Sequence, residues 1–136
     1  KEVLNVLNKK SGVLGLSEVS SDFRDITKAI EEGNEVAKNA LEVFANTVVR
    51  FVGAYVAEMN GVDAIAFTAG VGENNQAVRK MVCEQLGYLG VSLDEKANEK
   101  RREEIMISTP DSKVKVFVIP TNEELAIARE TLELLS

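Results

Sequence analysis

No histidine occurs among the 136 residues of this chain. That absence removes the usual general base near neutral pH, the commonest transition-metal ligand and every Ser-His or Cys-His nucleophilic arrangement. Chemistry carried here must rest on carboxylates, Lys or Arg and backbone dipoles, with a hard metal ion as an optional addition. Cysteine is nearly absent too. Cys83 stands alone, so no intramolecular disulfide forms, and a reducing cytoplasm is the expected compartment. It sits beside Met81 and Val82 in a helical pattern with no cationic cluster around it, and reads as packing rather than as a reactive thiol. An excess of positive charge is also missing: the formal net charge is -6 and the pI is near 4.8. This balance argues against a nucleic-acid backbone as partner, although glycine-rich backbone and one or two basic side chains can still bind a nucleotide locally. No apolar run reads as long enough to span a bilayer and no signal peptide is seen, so no membrane association is expected. Repeats, low-complexity tracts and flexible linkers are lacking as well.

What is present is a chain 45% hydrophobic, enough for one folding unit with a core, or part of one. It starts at Lys1 without Met, and Val3, Leu4 and Leu7 already follow helical spacing, so the start reads as a cut inside a larger protein. A first helix is expected to end at Lys9-Lys10-Ser11-Gly12. Residues 13–19 read as a connection, and Ser20, Ser21 and Asp22 offer caps for a short helix ending near Gly33. A long helix is expected over 34–60, where Val36, Ala40, Val43, Phe44, Thr47, Val48, Phe51, Val52, Tyr55 and Met59 recur at three- and four-residue steps. A strand over 62–67 follows, then a helix after Asn74 carrying Val78, Met81, Val82 and Leu86, and an extended piece at 89–93. The charged run 94–104 reads as a solvated helix. Strands at 104–108 and 114–119 flank the turn-forming Pro110-Asp111-Ser112, and a last helix runs from about Asn122 to the end.

Three junctions carry the chemistry. In the first, the apolar run 64–67, expected to be covered on both faces, leads into Thr68-Ala69-Gly70-Val71-Gly72-Glu73-Asn74. Strand, Gly-x-Gly and helix start make either a phosphate-binding crevice or a tight turn that merely needs glycine. In the second, Ser20-Ser21-Asp22-Phe23-Arg24 is either a capped helix start with Phe23 in the core, or an aromatic and a guanidinium flanking a base, with Asp22 facing a ribose or an amine. In the third, Pro120-Thr121-Asn122-Glu123-Glu124, Thr121 and Glu124 have capping-box spacing. Glu123 then either complements the helix dipole or ligates Mg²⁺.

Taken in order, Leu7-Asn8-Lys9-Lys10-Ser11-Gly12, Val19-Ser20-Ser21-Asp22-Phe23-Arg24-Asp25-Ile26, Phe67-Thr68-Ala69-Gly70-Val71-Gly72-Glu73-Asn74 and Val118-Ile119-Pro120-Thr121-Asn122-Glu123-Glu124-Leu125 resemble the last third of the acetate kinase family. The resemblance runs along essentially the whole chain. It implies an α/β fold, a helix-rich part of a ribonuclease H-like domain of the actin-like ATPase superfamily, with residues 1–136 being the C-terminal portion of the C-terminal domain. It implies transfer of a phosphoryl group between ATP and acetate, giving acetyl phosphate and ADP, with Mg²⁺ required. Asp22, Phe23 and Arg24 would border the adenosine, Gly70, Val71, Gly72, Glu73 and Asn74 would form the loop against the nucleotide, and Glu123 would serve the magnesium. Other large apolar residues are also acceptable in the family where Phe23 and Val71 stand. No catalytic residue is expected in this stretch, because the family's active-site histidine and its acetate- and phosphoryl-clamping arginines lie upstream. So do the family's N-terminal Asn and Ser/Lys motif and another phosphate loop. A homodimer in the cytoplasm is the implied assembly. The alternatives are a sibling propionate or butyrate kinase and a non-catalytic ATP-binding module of the same superfamily.

Overall fold

The structure, a computed structural model, describes residues 2–135; the terminal residues Lys1 and Ser136, expected in the first and last helices, lie outside the described residues. Four helices come first: α1 (Glu2–Lys9), α2 (Gly12–Ser17), α3 (Phe23–Glu31) and α4 (Glu35–Glu58). Strand β1 (Ala64–Phe67) follows, then α5 (Ala69–Asn74), α6 (Gln76–Gln85) and a 3-10 turn at Gly87–Leu89. The chain closes with α7 (Glu95–Asn98), β2 (Ile105–Met106), β3 (Lys115–Val118) and α8 (Glu123–Leu135). It is an α/β, helix-rich arrangement around one small sheet.

The sheet order is β1-β3-β2, with β1 parallel and β2 antiparallel to the central β3. Phe67 is in register with Val118, and the Ile119 amide donates to the Phe67 carbonyl at 2.9 Å. The carboxyl ends of β1 and β3 therefore leave the sheet side by side. That places the β1–α5 and β3–α8 junctions together. β1 is not covered on both faces as its composition suggested. It is an edge strand here, with Ile65 and Phe67 turned inward and Ala64 and Ala66 exposed.

Helix α6 lies between two core clusters. On one side Val78, Val82 and Leu86 meet Ile26 of α3 and Ala37, Leu41 and Ala45 of α4. On the other, Cys83 meets Ile107, Val116 and Val118. Burial pushes the Cys83 thiol up to about 12, so at neutral pH it is a protonated apolar contact. A thiol-specific disulfide reagent at pH 8 should therefore leave Cys83 untouched in the native protein and titrate one thiol after denaturation. Rapid labelling of the native protein would overturn the packing role.

Several sequence expectations change. Residues 13–19 are mostly helical: α2 packs on α4 and buries Ser17, a tertiary contact that outweighs the poor helix propensity of its two glycines. The charged run 94–104 is helical only over α7. Asp94 caps that helix through the amides of Lys96 and Ala97 at 3.0 and 3.1 Å, and Asn98 is drawn into a buried polar contact that ends it. Extended structure at 89–93 reduces to a single bridge between Leu93 and Ser108. In α4 the buried face is built largely from small residues, Ala37, Ala40, Leu41 and Ala45, while Val43, Phe51, Tyr55 and Met59 of the expected stripe are exposed. By length and composition α4 is also apolar enough to cross a membrane, which corrects the reading that no such run exists. Its packing against α2, α3 and α6 gives it a place as the central helix of this unit instead.

Candidate functional site

The second junction is a capped helix start that also faces a cavity. Asp22 caps α3 by accepting the Arg24 amide at 2.8 Å, and the Arg24 guanidinium returns onto the same carboxylate, Nε to Oδ1 at 3.0 Å. This pairing with the Arg24 side chain, aided by its amide, holds the Asp22 carboxyl down at about 2. Whatever the pair contributes to stability is thus present above the ordinary value of 3.8 and lost as the pH falls through about 2. Phe23 packs edge-on against Phe44, ring centroids 4.7 Å apart, while another part of it reaches the cavity wall. Phe23 therefore serves the packing at this helix start and still presents a surface to the cavity.

At the first junction the glycine stretch is not a free loop but the short helix α5. The left-handed residue at its start is Ala69, φ 59°, and neither Gly70 nor Gly72 has a positive φ. The two glycines do different work. A Cβ on Gly72 would meet the Phe67 carbonyl carbon at 3.3 Å, whereas one on Gly70 would meet nothing within 4 Å. Gly72 lets α5 fold back onto β1, and Gly70 leaves a face open. Asn74 closes the helix by donating from Nδ2 to the Gly70 carbonyl at 2.8 Å. Asn75 then breaks it with an extended backbone and caps α6 through the Val78 amide at 3.0 Å.

The third junction is wired to the first. The Thr121 amide donates to Glu73 Oε1 at 2.8 Å, the Thr121 and Thr68 hydroxyls lie 2.7 Å apart, and Thr121 Oγ1 accepts the Ala69 amide at 3.2 Å. Thr121 is therefore not the cap of α8. That role belongs to Asn122, whose Oδ1 accepts the Leu125 amide at 3.0 Å. The expected Thr121–Glu124 capping box does not form, because the threonine hydroxyl is spent across the junction and the helix starts one residue later. Glu123 and Glu124 both sit in the first turn, where a carboxylate suits the helix dipole.

Two adjoining cavities collect these residues. The larger, about 1100 Å³, is lined by Asp22, Phe23, Arg24, Gly70, Val71 and Asn74, together with Asn75, Gln76 and Ala77 at the start of α6. Its basic lining residues, Arg24, Lys28, Arg101 and Arg102, outnumber the acidic Asp22 and Glu31 in a chain of net negative charge, which favours an anionic ligand. The smaller, about 400 Å³, is lined by Ala69, Gly70, Glu73, Thr121, Asn122, Glu123 and Glu124. Gly70 borders both. Of the nine residues singled out in the sequence, only Gly72 lines neither.

No three His, Cys, Asp or Glu side chains converge as a metal site among the described residues. The smaller cavity nonetheless fits Mg²⁺, which takes one or two carboxylates, keeps waters and takes ligand phosphates for the rest. Glu123 and Glu124, both on its wall, are the carboxylates that could hold the ion there. Glu73 keeps one oxygen on the Thr121 amide. Sequence reasoning missed Arg79, fully buried behind α5, and Arg102, whose Nε donates to Asn74 Oδ1 at 3.2 Å. A signal for Arg79 exists: it shares helical spacing with the buried Val82, Cys83 and Leu86.

The Acetokinase family model matches residues 1–129. The chain belongs to the acetokinase family. It is 63% identical over 134 residues to an acetate kinase of Lachnoclostridium phytofermentans, an alignment covering 98% of this chain and 34% of that protein. Among solved structures, Porphyromonas gingivalis acetate kinase superposes with a TM-score of 0.91 at 47% identity, covering 98% of this chain and 34% of that one. A propionate kinase from Francisella tularensis gives 0.85 at 39% identity, covering 95% and 33%. The chain thus spans about a third of the length of the relatives it matches.

Proposed function

We propose that this chain is the nucleotide- and magnesium-side portion of an acetate kinase, a cytoplasmic phosphotransferase that moves a phosphoryl group between ATP and acetate. The observation that carries the reading is the pair of cavities meeting at Gly70, one flanked by an aromatic and basic groups, the other by carboxylates. High identity to acetate kinases along nearly the whole chain supports it. The larger cavity would take the adenosine, between Phe23 and Arg24 on one wall and Val71 and Asn74 on the other. Gly70 would let the phosphates pass toward the smaller cavity. Mg²⁺, when bound, neutralises charge on the phosphates and keeps them in line for transfer. Glu123 would hold it, and Glu73 would keep the junction closed through Thr121.

The portion is assigned to the C-terminal part of a ribonuclease H-like domain. Parallel β1 and β3 with an antiparallel neighbour, flanked by helices, are compatible with that assignment. A homodimer accounts for the outer face of α4, where Phe51, Tyr55 and Met59 are each about 60% exposed. The likeness to a propionate kinase favours one second reading, a sibling acting on a longer acid, since no acid-binding residue is assigned within this chain.

Hydroxylamine trapping of acyl phosphate tests these readings. The full-length protein carrying this chain should turn over with ATP and acetate, and less well with propionate. The chain alone should stay at background, because in-line transfer lacks the upstream positioning and charge-neutralising groups. Turnover by the chain alone would overturn the division of labour. A preference for propionate would select the sibling.

A further inference from the structure

We infer that Arg79 is a positioning residue for the ligand-facing helix α5, an inference that rests on reading the cleft as a nucleotide site. A guanidinium carries five N–H donors, and each of the five has an acceptor here. Nε donates to Asn98 Oδ1 at 2.8 Å, one terminal nitrogen to the Gly72 and Glu73 carbonyls at 3.0 and 2.9 Å, and the other to the Asn98 and Lys100 carbonyls at 2.5 and 3.0 Å. All five acceptors are amide oxygens, not carboxylates, so Arg79 acts through the geometry of its planar fork rather than through a counter-ion.

The Gly72 and Glu73 carbonyls lie in the last turn of α5, where helix carbonyls lack partners and a cation suits the dipole. A six-residue helix cannot hold itself in water. Its shape is imposed by Arg79 behind it and β1 beneath it. The same guanidinium fixes the 98–100 segment, and Asn98 is tied in turn to the Gln76 carbonyl at 3.0 Å. Arg101 and Arg102 follow at once, and Arg102 is held on Asn74. Arg79 lines neither cavity, yet both cleft-wall elements, α5 and the 98–102 segment, hang on it. Lysine would keep the charge but presents its donors from one point, which cannot span two pairs of carbonyls on separate segments.

The test is steady-state kinetics of the full-length protein, varying ATP and acetate separately. Arg79→Lys should raise the KM for ATP at least about tenfold and leave the KM for acetate within about twofold. Ile107→Val, a mild loss in the other core cluster, controls for general destabilisation and should move neither constant. Should Arg79→Lys not fold, Asn98→Ala decides: it removes one acceptor of the fork and should raise the KM for ATP alone, by less. An unchanged KM for ATP, or equal shifts for both substrates, overturns the role. A parent with no ATP- and acetate-dependent turnover removes the function reading and this inference with it. An active parent with an ATP-indifferent Arg79→Lys removes this inference alone.

Discussion

In the full-length protein, Glu123→Ala should fold normally and lose most of its turnover, on the order of 10²-fold, as expected when a group that organises charge around a reacting phosphoryl is removed. Any residual activity should need more magnesium. Glu123 opens α8 and lines the smaller cavity beside Gly70 and Glu73. As a structural element it offers only a favourable placement at a helix start, about 0.3–1 kcal/mol. Glu124 lines the same cavity and shares that placement without a reciprocal cap; the resemblance to the family gives the magnesium to Glu123 alone, so Glu124→Ala should cost a similar small amount and spare the magnesium dependence. The substitution with the larger structural cost at this end is Asn122→Ala, which removes the cap of α8 for about 1 kcal/mol. Melting temperature and magnesium titration should be measured on all three side by side. Loss of magnesium-dependent turnover in Glu124→Ala with Glu123→Ala nearly unaffected would reverse the assignment.

The junctions were legible in the sequence because each is a local pattern: a strand ends, a small or polar residue turns the chain, and a helix starts. The long helix and the pairing strands were legible for the same reason. What escaped was set by tertiary contact. The α2 segment has glycines that speak against a helix, and only its packing on α4 decides otherwise. Thr121 and Glu124 have the spacing of a capping box, but spacing does not show that the hydroxyl is claimed by Ala69 across the sheet. Arg79 has the spacing of the buried face of α6, but spacing does not show the acceptors that a buried guanidinium requires. The acceptors that permit its burial come from segments up to 21 residues away. Nor does the charge of the run 94–104 show that its Asn98 faces inward to that arginine.

The division of labour between the two glycines gives the remaining large effect. Gly72→Val should be mainly a folding defect, because the added Cβ meets the backbone of Phe67, 3.3 Å from its carbonyl carbon, before any γ-methyl is counted. The strand cannot yield cheaply, since Phe67 is paired with Val118 and its carbonyl accepts the Ile119 amide. Overpacking of this kind costs about 1–3 kcal/mol. Gly70→Ala is the cleaner probe of ligand approach. Its Cβ meets no protein atom within 4 Å and its backbone angle is one alanine accepts, so melting temperature and circular dichroism should match the parent. That Cβ would stand at the border of both cavities, where the phosphates are proposed to pass. Calorimetric titration of the full-length protein with ATP should therefore show the larger loss of affinity in Gly70→Ala and the larger loss of stability in Gly72→Val. A Gly70→Ala protein that binds ATP like the parent would move the nucleotide path away from α5. A stable Gly72→Val protein with weakened binding would return that glycine to the ligand.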